Sequence, residues 1–313
     1  MFTAEERRQY IGGSDIAAVM NMSRWKTPLK LWLEKTGEVE PEDLSQNEKV
    51  QLGTELEEFV AQKFSRETGK QVRKQTKMYV HKDYPFMVAH VDRLITGTDE
   101  ILECKTCGSY KEDEWAEVSE IIEENGKKVE KIIEKVPVEY VLQVIWYLGI
   151  TGKRVAHIAV LIGGQKFKKR IIEFDKELFD LMVETAKDFW HSVQTKTPPC
   201  VSANDNEVLT QIFPTHNDEL LDKPEFEDKV TKIKQLKAEI TVLTDEKDML
   251  ETELKSTICN HLGLITQKYK VTWKEQSQTK IDSNKLKADG LYEKYSFKTS
   301  FRKLNISENK KAA

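Results

Sequence analysis

The sequence predicts a mixed α/β body followed by a separate helical and basic extension, and three observations point there. Residues 1–199 alternate helix-like and strand-like stretches in the order helix, strand, strand, helix, strand, strand, helix, the pattern of a mixed sheet flanked by helices. Pro198-Pro199 then break the last of these helices, and a polar stretch over 200–224 reads as a linker. Beyond it, 225–313 combines a long heptad-patterned helix with a tail that carries twelve Lys/Arg against five Asp/Glu over 264–313, a net +7 in a chain whose formal net charge is −4.

Taken in order, residues 14–20 and 28–34 read as two short helices. Ser14 is placed to cap the first, and Thr27-Pro28 opens the second, because Pro suits the first helical turn. From Gly53 to Gly69, Leu56, Phe59, Val60 and Phe64 recur at helical spacing, and Gly69 supplies the stop. Strands follow at 72–80, 86–95 and 100–106, the last two joined by the turn Thr96-Gly97-Thr98-Asp99. The charged stretch 108–136 holds Asn125-Gly126 between two β-prone runs, the signature of a type I′ hairpin, and reads as an excursion from the body. Pro137 opens a helix to about 149, residues 155–162 and 167–174 form a hairpin around Gly163-Gly164, and Asp175 caps a helix ending near Thr195. Over 225–262, Ile233, Leu236, Ile240, Leu243, Leu250 and Leu254 follow a heptad interrupted at Lys247. The tail adds Tyr269, Trp273, Tyr292, Tyr295, Phe297 and Phe301.

Composition excludes some classes. No run approaches the ~18 apolar residues of a membrane span, and the N-terminus lacks a hydrophobic signal core. Cys104, Cys107, Cys200 and Cys259 make neither a disulfide framework nor a metal knuckle, which fits a reducing cytoplasm.

The candidate chemistry lies in the two central strands. Alternate side chains share a face, so Glu103 and Lys105 lie together with Ile101 while Cys104 faces away, and Asp92 lies beside His90 and Leu94. Paired as a hairpin, the strands bring Asp92, Glu103 and Lys105 together: two carboxylates that can hold hard divalent ions, and a lysine that can orient water and steady charge on phosphorus. Asp-x₁₀-Glu-x-Lys alone is common on ordinary hairpins. Charges inside the otherwise apolar strand Ile101–Thr106 are costly to bury without purpose, and this shifts the balance. Glu57 shares a face with Val60, Ala61 and Phe64 and adds a carboxylate, or else only complements the helix dipole, whereas Glu58 aligns toward solvent. Tyr140, Gln143 and Tyr147 form a polar stripe on the 137–149 helix, readable as a surface stripe or as phosphate and water contacts.

Several stretches together resemble a known family: Ile11-Gly12-Gly13-Ser14-Asp15-Ile16-Ala17-Ala18, Thr27-Pro28-Leu29-Lys30-Leu31-Trp32, Gly53-Thr54-Glu55-Leu56-Glu57, Ala89-His90-Val91-Asp92, Leu102-Glu103-Cys104-Lys105-Thr106, and Tyr140 with Gln143, Tyr147 and Leu148. Over roughly residues 7–175 the chain is similar to the YqaJ-type viral recombinases, themselves similar to lambda-type alkaline exonucleases of the PD-(D/E)xK superfamily. The resemblance implies a restriction-endonuclease-like core and a 5′→3′ exonuclease that degrades one strand of linear double-stranded DNA. It implies Mg²⁺, with Mn²⁺ as a substitute, held by Asp92, Glu103 and the backbone carbonyl of Cys104, with Glu57 as supporting ligand. Lys105 would serve the attacking water and Gln143 would orient water or phosphate. Arg7 (Arg8 if the alignment slips by one) and Ser14 match the pocket for the 5′-phosphate, and His90 and Tyr147 belong to the same DNA-binding set. The 3′ overhang would pass to an annealing protein of the RecT or Red-beta type in a host bacterial cytoplasm. Lambda-type enzymes form trimeric rings, an interface that the extensions of this chain could block or replace. Within the tail, Val271-Thr272-Trp273-Lys274 and Asp282-x-x-Lys285-Leu286 are similar to extensions of YqaJ-type members. The cysteine spacing does not suit an iron–sulfur cluster. Two other functions use the same residues: a restriction- or repair-type endonuclease, and a non-catalytic DNA- or partner-binding protein. A terminal-phosphate pocket favours the exonuclease over the first, and the intact triplet favours it over the second.

Overall fold

Helices α1 (Ala4–Arg8), α2 (Gly13–Val19), α3 (Pro28–Thr36) and α4 (Glu48–Thr68) precede strands β1 (Val72–Lys74), β2 (Tyr79–Val80), β3 (Val88–Ala89), β4 (Arg93–Ile95) and β5 (Glu100–Cys107). A 3-10 turn (Ser109–Trp115), β6 (Glu117–Glu124) and β7 (Lys127–Glu134) follow, then α5 (Val138–Thr151), β8 (Val155–Ile162), β9 (Lys166–Glu173) and α6 (Lys176–Gln194). The chain continues through a 3-10 turn (Ala203–Asp205), α7 (Asn206–Ile212), α8 (Glu227–Ile258), β10 (Gly263–Ile265), β11 (Lys270–Thr272), α9 (Ser283–Ala288) and α10 (Tyr292–Tyr295). The computed structural model describes residues 4–124, 127–299 and 302–307. Two units emerge, Met1–Ile212 and Phe213–Ala313.

The first unit is the expected α/β body. Its five-stranded sheet has the order β1-β4-β5-β8-β9, with β5 and β8 parallel and every other neighbour antiparallel. Period-2 alternation sends Ile101, Ala156, Ile158 and Val160 into the larger core beneath α5, and Leu102, Ala159 and Leu161 into a smaller core beneath α4. α4 meets the smaller core through Val60, Ala61 and Phe64, while Phe59 lies exposed. α5 is apolar nearly all round because α2, α6 and the sheet enclose it.

Helix starts follow local chemistry. Thr27 caps α3 by accepting from Lys30 N–H, with Pro28 at the first position, and Asp175 caps α6 through Leu178 N–H. Ser14 is not the cap of α2. Gly12 occupies that position, the Asp15 carboxylate accepts its N–H at 3.2 Å, and Ser14 lies exposed within the first turn. The stretch 86–95 is not one strand but β3 and β4 separated by a bend at 90–92. There the Asp92 carboxylate takes the Cys104 N–H at 2.8 Å, which diverts that donor from the ladder and ends the β4–β5 pairing at Arg93–Leu102.

Over 108–136, β6 and β7 pair as a hairpin registered Glu124 to Lys127; the Asn125-Gly126 turn lies outside the described residues. Its base is clamped to the body, since Arg170 Nη2 donates to the Trp115 carbonyl at 2.6 Å and Lys168 Nζ to the same oxygen at 2.9 Å.

Residues 200–224, read as a linker, divide at Ile212. Asp205 is 1% exposed, accepts from the Thr27 hydroxyl and the Ser202 hydroxyl, and ties this segment to the start of α3. Val208 enters the main core with Leu209 and Ile212 against it. A seven-residue helix is too short for its apolar face to show as periodicity.

In the second unit, α8 spans 32 residues and its heptad positions face water, with Ile240 61% and Leu243 64% exposed. β10 and β11 form a short hairpin. Tail aromatics Tyr269, Trp273, Tyr295 and Phe297 are exposed, while Phe301 lies outside the described residues. No helix among the described residues is long and apolar enough to cross a membrane.

Candidate active site

β5 presents Glu103 and Lys105 toward α5, and the bend before β4 brings Asp92 beside them. Lys105 Nζ donates to Glu103 Oε1 at 2.6 Å and to Gln143 Oε1 at 3.1 Å. Gln143 Nε2 returns a bond to Glu103 Oε1 at 2.9 Å, and to the Tyr147 hydroxyl at 2.8 Å. Glu103, Lys105 and Gln143 are thus one hydrogen-bonded cluster, and Asp92 lies near enough for the charges of Glu103 and Lys105 to act on it. The Tyr140–Gln143–Tyr147 stripe is not a surface stripe. Gln143 and Tyr147 are buried, facing the strand that carries the charges. The Tyr140 ring packs 4.8 Å from the Lys105 ammonium.

Electrostatics follow from crowding. Burial, then the neighbouring Glu103, push the Asp92 carboxyl well above the usual carboxylate range. Burial works against charge on Lys105, yet Glu103 and Asp92 together outweigh it and hold the ammonium charged, its pKa raised. Burial first, and Glu103 next, raise the Tyr147 phenol, which stays neutral. Glu103 is 2% exposed, and its Oε2 is buried with no hydrogen-bond partner among the described residues. A buried carboxylate oxygen without a donor is costly, and so is a second carboxyl beside it. Both are what a hard divalent cation would satisfy. The donor set is small: no three His, Cys, Asp or Glu side chains gather around one point among the described residues. Two carboxylates suit Mg²⁺, which keeps much of its water.

Glu57 stands at the margin of this cluster. Its carboxylate receives Arg93 Nη1 at 2.5 Å, and Arg93 Nη2 reaches Glu58 at 3.0 Å. Glu58 therefore does more than face solvent. Arg93, itself 2% exposed, also donates to the Asp92 carbonyl at 2.9 Å and so braces the bend. In the sequence Arg93 reads as an ordinary strand residue beside Asp92. Cys104 turns its thiol to the opposite face against the α4 core, where burial raises its pKa.

A cavity of about 240 Å³ is lined by Arg7, Arg8, Ser14, His90 and Tyr147 together with Tyr10 and Lys35. The four residues expected in a phosphate pocket are brought together here. The two candidate arginines differ in their partners. Arg8 is tied to Glu40 at 2.6 Å and to the Glu34 carbonyl at 3.1 Å, whereas Arg7 makes no ion pair among the described residues. Lys35, missed in the sequence, is buried and fixes the loop by donating to the carbonyls of Arg7 and Tyr10 and to Asp15. Gly13 is required here, because a Cβ would lie 2.2 Å from the Tyr147 ring. Tyr147 borders this cavity and bonds Gln143, so the pocket and the carboxylate cluster share one hydrogen-bonded chain.

The model of the YqaJ-like viral recombinase domain matches residues 4–154. A Bacillus subtilis (strain 168) protein described as "Uncharacterized protein YqaJ" is 34% identical over 312 residues, spanning 97% of this chain and 92% of that protein. Among solved structures, the alkaline exonuclease LHK-Exo of Laribacter hongkongensis aligns with a TM-score of 0.44 at 16% identity, over 61% of this chain and 90% of that one. A phage-related exonuclease of Haemophilus somnus 129PT aligns with a TM-score of 0.41 at 13% identity, over 60% and 96%. With a third of its residues shared along nearly the whole length of a YqaJ protein, and the domain matched across the half that holds both cavity and carboxylates, the chain belongs to the YqaJ-like viral recombinase family.

Proposed function

We propose that the chain is a metal-dependent deoxyribonuclease that degrades one strand of linear duplex DNA from its 5′ end. The observation that carries this reading is the buried cluster of Asp92, Glu103, Lys105 and Gln143, with one Glu103 oxygen left open. Asp92, Glu103 and the Cys104 carbonyl are the groups that would hold Mg²⁺ or Mn²⁺, with Glu57 joining if Arg93 releases it. When bound, the cation supplies Lewis acidity toward the phosphodiester. Lys105, charged and oriented by Glu103 and Gln143, steadies the negative charge that grows on the phosphoryl oxygens and holds the attacking water. Arg7 and Ser14 receive the terminal phosphate, the guanidinium fork supplying paired donors. The 3′ overhang then serves an annealing protein of the RecT or Red-beta type. Residues 225–313 act as an accessory module contacting DNA or that partner through their +7 tail.

The test is a set of duplexes: linear with 5′-phosphate, linear with 5′-hydroxyl, and closed circular, each with enzyme and Mg²⁺. Loss of linear DNA alone, faster from phosphorylated ends, is the expected result; cleavage of the circle would make the enzyme an endonuclease. Arg7→Ala and Ser14→Ala are expected to erase the preference for phosphorylated ends while still degrading DNA. Retention of the wild-type ratio by both would place the terminal phosphate elsewhere.

Ligand binding is read separately from turnover. Mg²⁺ should raise the melting temperature of the wild type, as any ligand of the native state does. Asp92→Asn keeps an oxygen for the Cys104 N–H and should abolish that rise. A full Mg²⁺ shift in the variant would remove Asp92 from the ligand set.

A further inference from the structure

The loop between α2 and α3 holds Trp25 54% exposed, beside a neighbour that is pinned. Its neighbour Arg24 grips Glu139 through Nε at 2.6 Å and Nη2 at 3.2 Å, and Glu114 through Nη1 at 2.6 Å. Behind Trp25 runs a line of rings. Buried Trp115 stacks on Tyr140 with centroids 5.8 Å apart, and Tyr140 lies 6.1 Å from Trp25. Tyr140 is also the ring that packs 4.8 Å from the Lys105 ammonium. Trp25 is therefore the solvent end of an aromatic row, one ring removed from the catalytic lysine.

Charge of both signs surrounds the ring, with Arg24 matched by Glu139 and Glu114 and Lys111 left as the open cation. Arg24 lies 5.5 Å and Lys111 Nζ 5.9 Å from the centre of the Trp25 ring, and Lys111 makes no ion pair among the described residues. Beside Trp25 opens a groove of about 570 Å³, lined in part by Lys26, Lys30, Asn204, Asn206 and Gln211, with one carboxylate, Glu207. An exposed indole is expensive to keep rigid in water. With Lys111 on its flank and amides and lysines along the adjoining groove, it suits a ligand that offers flat π-faces on an anionic chain.

We propose that Trp25 is a stacking platform for one unpaired base of the DNA strand engaged at Asp92 and Glu103, with Lys111 and Lys30 taking flanking phosphates. The inference rests on the nuclease reading above and adds to it a positioning residue. Unstacking the base next to the reacting phosphate would hold the strand in line with Lys105, at a contact indifferent to which base is present.

Two measurements test it. In Ca²⁺, duplexes carrying 2-aminopurine at successive positions from the 5′ end are titrated with wild type, Trp25→Ala and Trp25→Phe. One position should change its fluorescence on binding to wild type and to Trp25→Phe, and not on binding to Trp25→Ala. In Mg²⁺, Trp25→Ala should lower kcat/KM by roughly 10- to 100-fold, the scale of one lost base–aromatic stack, and Trp25→Phe should recover most of it. An abasic site at the responsive position should reproduce the loss in wild type and add nothing to Trp25→Ala. Trp25→Leu, which keeps bulk without a π-face, stands in if the alanine variant does not fold. Equal kcat/KM and equal fluorescence responses in wild type and Trp25→Ala overturn the proposal, and would leave the ring as a docking point for another protein. Wild type that binds with the fluorescence change yet cleaves nothing sinks the nuclease reading and leaves the stacking contact standing.

Discussion

Lys105→Ala is expected to lower DNA cleavage by at least ~100-fold while leaving DNA binding near wild type, the scale of removing one positioned acid–base or electrostatic group. The ammonium is fixed by two acceptors, Glu103 Oε1 at 2.6 Å and Gln143 Oε1 at 3.1 Å, so its position is set before substrate arrives. Without it, nothing else among the described residues of the cluster offers a cation toward the phosphate, because Arg93 is committed to Glu57 and Glu58. Lys105→Arg should rescue little. A planar guanidinium is wider than an ammonium and would have to displace either Gln143 or the Tyr140 ring. Single-turnover rates and filter binding on the same protein separate the two effects. A folded Lys105→Ala protein cleaving within a few-fold of wild type would remove Lys105 from the chemistry.

The second large effect is on stability. Trp146→Ala should cost about 3–5 kcal/mol, the range for truncating a large aromatic in a close-packed core. Trp146 is fully buried on α5, packs against Phe179 with centroids 6.1 Å apart, and donates Nε1–H to the Val88 carbonyl at 3.0 Å. Trp146→Phe keeps most of the volume and loses that bond and the indole's second ring, so it should lose distinctly less. Urea denaturation followed by circular dichroism distinguishes them. Similar midpoints for alanine and wild type would mean that the contact between α5 and α6 is not limiting for the fold.

What the sequence made legible was what alternation and caps control. The face shared by Glu103 and Lys105 follows from strand geometry alone, and the starts of α3 and α6 follow from Thr27 and Asp175. The glycine stop at 69 sits in the left-handed region, where a residue without a Cβ is favoured. What it hid depends on contacts between residues far apart in the chain. Thr27 and Asp205 meet across most of the first unit, which turned half of an apparent linker into core. On its own helix the polar stripe of Gln143 reads as a surface stripe, and only the family resemblance puts that residue in the site. The stripe is buried only since it faces charges on β5 that periodicity on α5 cannot see. Arg93 and Lys35 were overlooked for the same reason: a buried cation announces itself through its partners, and those lie on other elements. The bend at Asp92 depends on one donor, the Cys104 N–H, chosen by a side chain over the ladder.

The parallel pairing of β5 with β8 also bears on when the site comes into being as the chain folds. Asp92 and Glu103 meet across a tight local turn, whereas Gln143 reaches Glu103 only once the connection from β5 through the 108–136 hairpin and α5 has closed on β8. Loop closure of that span is entropically slow, and local hairpins form long before it. The two carboxylates are therefore neighbours early, but the lysine beside them gains its second anchor last. Regain of cleavage after dilution from denaturant should lag behind regain of strand signal, with Gln143 completing the site only at the final step.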